Sequence, residues 1–210
     1  MLDSRARALY RPGLDRLAER VNRIGISASA VTAAGLAVGI AACVAVAFEH
    51  WLLVLVLWLV NRTLDGLDGA VARHTQPTDL GGMLDFLADF VVYGGFVVAV
   101  SIAVPDARVA CTVLLAAYLL NNVALLSFAS LIEKRRLPLG DERSLRFTTG
   151  LTEGTETVIA YTAICIFPEH AGSIAWIFAG MVLFTVGQRV ALAVRMLGGQ
   201  AGRARITSDG

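Results

Sequence analysis

Six apolar runs, at residues 29–48, 51–73, 81–104, 109–132, 150–167 and 173–196, are separated by short polar breaks. A run near twenty residues matches the roughly 30 Å hydrocarbon core of a bilayer, and within lipid only a helix satisfies the backbone groups of a single segment. An all-α fold is expected, a polytopic membrane bundle of six transmembrane helices. Composition agrees, since 56% of the 210 residues are hydrophobic and the mean hydropathy is +0.67, too apolar for an ordinary soluble domain. The length suits one bundle, divided here into an arm (1–23), a transmembrane domain (24–198) and a tail (199–210). Cys43, Cys111 and Cys165 stand singly in separate runs, which gives neither a disulfide framework nor a metal-binding pair.

The arm alternates arginines (Arg5, Arg7, Arg11, Arg16, Arg20, Arg23) with Tyr10, Leu14, Leu17 and Val21 at helical spacing. This pattern predicts an amphipathic helix lying in the headgroup layer, with a plain solvated arm as the alternative. No signal peptide is expected, because the first apolar run is too long for one and a second follows almost at once. The net charge of +1 conceals an asymmetry. Arginines and lysines gather in the arm, at Arg73, in the 133–146 loop and at Arg203 and Arg205, whereas the opposite face has Arg108 alone. By the positive-inside rule both termini and the 73–81 turn face the cytoplasm. Nucleic acid is not suggested as a partner.

Between the second and third runs lies DGLDGAVARHTQPTDLGGMLDFLAD, residues 65–89. At about 100° per helical residue, Asp65, Asp68, Gly69, Ala72 and Arg73 share one arc of roughly 140°, and Gly81, Asp85 and Asp89 form a stripe on the next helix. Four carboxylates at membrane depth repel one another unless cations neutralise them, and Arg73 alone cannot balance four. Oxygen-only ligands favour a hard divalent ion, magnesium or manganese.

Asp65-x-x-Asp68-Gly69-x-x-Ala72-Arg73, seven residues, then Gly81-x-x-x-Asp85-x-x-x-Asp89 resembles the signature of the CDP-alcohol phosphatidyltransferases, all eight positions matching. The resemblance implies a Mg²⁺-dependent (or Mn²⁺-dependent) enzyme of the bacterial inner membrane. It would pass a phosphatidyl group from CDP-diacylglycerol to an alcohol acceptor and release CMP, with two ions per site and a homodimeric assembly. Asp65, Asp68, Asp85 and Asp89 would be the metal ligands, and Asp89 also the catalytic base. Asp68, Gly69, Ala72, Arg73 and Gly81 would meet the nucleotide and pyrophosphate, although Arg73 also reads as a helix-end arginine reaching toward water. Thr32 and Arg62 either line that pocket or serve local bonding.

GLTEGTET, residues 150–157, places Glu153 and Glu156 one turn apart near the same face. With Arg189 they are candidates for binding the acceptor; the alternative is that the glutamates simply pair with Arg143, Arg146 or Arg189. Asn121 and Asn122 are expected to join neighbouring helices, and His74 to lie in the loop. Two other classes also place acids in membranes. An aspartate-rich prenyltransferase needs a second acidic motif on distant helices, and a divalent-cation transporter places its acids mid-span without the Gly-x-x-Ala-Arg setting. The acceptor alcohol is not named by the signature.

Overall fold

The computed structural model describes residues 2–135 and 154–198. Among these residues seven α-helices follow in order: α1 (Leu2–Arg23), α2 (Ala28–Ala47), α3 (Trp51–His74), α4 (Asp79–Ala103), α5 (Arg108–Lys134), α6 (Gly154–Ile166) and α7 (Ala171–Gly198). No strand occurs among the described residues. The helices end where backbone chemistry requires it. Gly25, at φ 77°, releases the chain from α1, and Ser27 caps α2 by accepting from the Ala30 amide at 3.2 Å. Thr78 caps α4 through the Gly81 amide at 3.1 Å, and 3₁₀ turns begin at Pro105 and Pro168.

Among the described residues, four segments are long and apolar enough to cross a membrane: Ala28–Ala47, Asp79–Ala103, Pro105–Lys134 and Pro168–Leu197. The chain is a multi-pass, all-helical membrane protein, but two of the six expected spans stand apart. Helix α3 has the length, with 24 residues, yet carries Arg62, Asp65 and Asp68 in its second half. The described part of helix α6 has 13 residues, about 20 Å at 1.5 Å per residue, and begins where the described residues resume. Residues 150–153, where the fifth run begins, lie outside the described residues, as do Glu153 and the 199–210 tail.

Helices α2, α3 and α4 pack together, α5 packs on α7, and α6 bridges α3 and α7. The main core centres on Trp58, Phe96 and Tyr161, all fully buried, with Val54, Val100, Leu114 and Phe178 around them. Phe96 and Tyr161 stack at 4.3 Å between centroids, and Trp58 tilts against both. Close approach of α2 depends on Gly39, where a Cβ would press on Val92 and lie 2.9 Å from Asn61 Nδ2. Large apolar side chains such as Leu52, Val109 and Ile177 point outward, as a lipid-facing surface requires.

The arm is helical, and part of its apolar face is occupied by protein. Ala18 is fully buried, and Leu14 and Val21 pack with it against Val31, Leu67, Ala70 and Val71, while Leu17 stays exposed. Leu14 fits over Gly66, where a Cβ would lie 2.8 Å from its Cδ1.

Candidate active site

The second half of α3 and the first half of α4 run antiparallel, so Asp65 and Asp68 descend toward Asp85 and Asp89 rising from the other helix. Carboxylate oxygens of Asp65, Asp68 and Asp85 come within 4.8 Å of one another. Asp68 is 4% exposed and accepts a hydrogen bond from Thr32 Oγ1 at 2.7 Å, which ties α2 to the cluster. A small space of about 10 Å³ lies among Thr32, Asn61, Arg62, Asp65, Asp68, Asp85 and Asp89. That volume suits one water or one small ion. Three oxygen donors without nitrogen or sulfur suit a hard divalent cation, so the residues fit magnesium or manganese.

A wider cleft of about 270 Å³ opens from the cluster toward the α3–α4 turn. Asp68 and Asp85 line both spaces, as does Thr32. Gly69, Ala72, Gly81 and Gly82 form much of the cleft wall, with Ser27 and Gln76 at its edge. Side chains this small leave backbone exposed to whatever enters, which is the setting a bulky pyrophosphate needs.

Asp89 is held differently from the other three acids. Its Oδ1 lies 3.0 Å from Arg62 Nη2, and Arg62 Nη1 lies 3.7 Å from Asp65 Oδ2. Arg62 thus lines the small space among the acids and not the wider cleft. Arg73 reaches Asp15 of α1 at 3.3 Å while its Nη1 passes 3.7 Å from where a Gly69 Cβ would be. Arg189 is buried and donates to Asn121 Oδ1 at 2.6 Å, joining α7 to α5 as Asn121 was expected to do. Glu156 begins α6, and neither it nor Arg189 lines the two spaces described. His74 closes α3 as an exposed residue rather than standing in the loop.

Four participants escaped the reading of sequence. Asn61 and Tyr93 anchor Arg62, Trp58 covers it, and Asp15 engages Arg73. The Asn61–Arg62 pair inside an apolar run was the available signal; Asp15 offered none.

A family description, CDP-alcohol phosphatidyltransferase, matches residues 26–188, a segment that contains the whole aspartate signature and every residue lining the two spaces. The chain belongs to the CDP-alcohol phosphatidyltransferase family. Its reaction class is therefore the transfer of a phosphatidyl group from a CDP-linked lipid to an alcohol, which sets the prenyltransferase and transporter readings aside. Inner membrane protein YnjF of Escherichia coli strain K12 is 35% identical over 193 residues, covering 90% of this chain and 94% of that protein. The fold is shared with Mycobacterium tuberculosis phosphatidylinositol phosphate synthase (PgsA1). Its structure with CDP-DAG bound superposes at TM-score 0.70 and 18% identity, over 86% of this chain and 93% of that one. A second structure of PgsA1, in complex with manganese and citrate, gives TM-score 0.69 at 20% identity, over 86% and 88% of the two chains.

Proposed function

We propose that this family member takes CDP-diacylglycerol as donor and works with two Mg²⁺ or Mn²⁺ ions held by Asp65, Asp68, Asp85 and Asp89. When bound, such ions neutralise pyrophosphate charge and stabilise the leaving phosphate. The observation that carries this reading is the meeting of Asp65, Asp68 and Asp85 at the mouth of a cleft walled by Gly69, Ala72 and Gly81. The cleft would receive the cytidine and pyrophosphate, with Thr32 at its rim and Arg73 close enough to reach a phosphate once it leaves Asp15. Asp89, at the inner end of the acid row, would accept the proton of the acceptor hydroxyl as that oxygen attacks the lipid-side phosphorus. The bond to CMP breaks in the same displacement. Glu153, Glu156 and Arg189 remain candidates for holding the acceptor. The manganese reported in PgsA1 and the CDP-DAG bound to it support this assignment by likeness of fold.

We place the chain in the bacterial inner membrane with six spans, α2 to α7, both termini and the site on the cytoplasmic face, and α1 at the headgroup layer. YnjF, an inner membrane protein, supports the location, and the arginine asymmetry supports the orientation. Assembly as a homodimer is expected of the family. Reporters fused at either end should read cytoplasmic and one inserted at Asp106 external; a periplasmic C-terminus would sink the six-span topology.

The decisive assay follows labelled CDP-diacylglycerol with purified protein and Mg²⁺ or Mn²⁺, against glycerol phosphate, inositol phosphate, serine and choline. CMP release dependent on one acceptor is expected. Folded protein that releases no CMP with any acceptor would refute the donor assignment.

A further inference from the structure

The four acids of the site do not stand in equivalent surroundings. Asp65, Asp68 and Asp85 face one another, whereas Asp89 already has a cation beside it. That cation is immobilised. The Arg62 side chain is 10% exposed, and its guanidinium carbon sits 4.8 Å from the ring centres of both Trp58 and Tyr93. Nε and Nη2 donate to Asn61 Oδ1 at 2.8 and 2.6 Å, and Nη1 donates to the Tyr93 hydroxyl at 2.5 Å. Asn61 is in turn fixed, 3% exposed and donating from Nδ2 to the Gly35 carbonyl at 2.8 Å. Behind Tyr93, its own carbonyl accepts from Tyr161, whose hydroxyl meets that of Tyr118 at 3.0 Å.

A guanidinium keeps its charge at any accessible pH and is rigid once its fork is engaged. Three helices thus hold a permanent positive charge against Asp89 and, at longer range, Asp65. A divalent ion approaching Asp89 meets that charge at short distance, and like charges so close repel strongly where water is scarce. In the Asp65–Asp68–Asp85 cluster the same guanidinium stands farther off, 3.7 Å from Asp65 against 3.0 Å from Asp89, so an ion entering there meets a weaker repulsion.

We propose that Arg62 is a positioning residue that makes metal loading sequential: the Asp65–Asp68–Asp85 cluster takes one divalent ion tightly, while occupancy at Asp89 waits for the negative pyrophosphate of the donor. Arg62 holds Asp89 through Oδ1. The inference rests on the two-ion reading above and adds the order and its cause. It also explains why an arginine is buried one turn before Asp65 and against Asp89, where charge neutralisation alone would not need aromatic faces and an asparagine to lock it.

The test titrates Mn²⁺ alone into purified full-length protein, counting free Mn²⁺ by electron paramagnetic resonance. Wild type should bind one ion at least tenfold more tightly than a second, and a non-hydrolysable CDP-lipid analogue should close that gap. Arg62→Gln should tighten the second ion at least tenfold without the analogue, while Arg62→Lys, which keeps a charge, should stay near wild type. If Arg62→Gln fails to give monodisperse protein, Tyr93→Phe removes one anchor and should tighten the second ion by a smaller factor. Two equally tight ions in wild type, or a second site indifferent to whichever of these variants folds, would overturn the ordering. A different result would strike the metal reading itself: no tight ion at all, or a first ion unaffected by Asp85→Asn.

Discussion

Two halves of the same helix pair behave as opposites. Toward one end of α3 and α4, Trp58 and Phe96 are fully buried in a dry aromatic cluster. Toward the other, Asp65, Asp85 and Asp89 remain partly open to solvent beside a cleft walled by glycine and alanine. The first half gains by excluding water and filling space. The second gathers like charges and leaves space open, an arrangement that costs stability and that, on the proposed function, binding of cation and substrate would offset. Stability and function are thus separated along one rigid scaffold. Arg62 stands at the border, with its stem and faces in the aromatic half and its donors on the acids.

Substitutions in each half can break this contrast. The largest effect is expected from Asp85→Asn, which should lower the rate of CMP release by about 10²–10⁴-fold or more, the range a lost catalytic carboxylate gives. Its thermal midpoint in detergent should not fall, since removing one of three facing charges relieves repulsion; a marked loss of stability would mean the acids are structural. At saturating metal, Asp89→Asn should slow single-turnover transfer by a similar factor yet leave CDP-lipid affinity nearly intact, because the loss appears only in the transition state. Loss of lipid binding instead would make Asp89 chiefly a metal ligand.

In the dry half, Trp58→Ala should cost about 3–5 kcal/mol of stability, the usual toll of emptying a large buried ring site. The same change uncovers one face of Arg62, so activity should also fall; full activity at low temperature would show the clamp to be dispensable. Gly39→Ala should cost about 1–3 kcal/mol, as overpacking does, because the new methyl group meets Val92 and Asn61. The smallest effect belongs to Asp15→Asn. The Asp15–Arg73 pair is partly exposed on both sides, so its loss should change stability by less than about 1 kcal/mol. If Arg73 moves to a phosphate during the reaction, this variant should slightly improve CDP-lipid affinity, measured by titration; weakened affinity would mean Asp15 presents Arg73 to the lipid.

Much of this arrangement was legible in the residues. The runs at 29–48 and 51–73 became Ala28–Ala47 and Trp51–His74, shifted by about one residue, because apolar length and capping chemistry are local properties. Convergence of Asp65 with Asp68, and alignment of Asp85 with Asp89, followed from helical spacing, and the short turn between the helices brought the two pairs to one end. The roles of polar residues inside the runs were harder to read. Spacing leaves Arg62 open between the nucleotide pocket and local bonding, because its direction depends on Trp58, Tyr93 and Asn61 closing around it.

The chain by itself determined a helical membrane protein with an acidic, small-residue site between its second and third apolar segments, since each of those features arises from neighbours within a few turns. Tertiary structure alone decided that Thr32 bonds Asp68, that Asp15 meets Arg73, and that Arg189 reaches Asn121. Those partners lie 36, 58 and 68 residues apart. Their meeting depends on how helices cross and rotate against one another, which side-chain packing settles across the whole bundle and no local periodicity encodes.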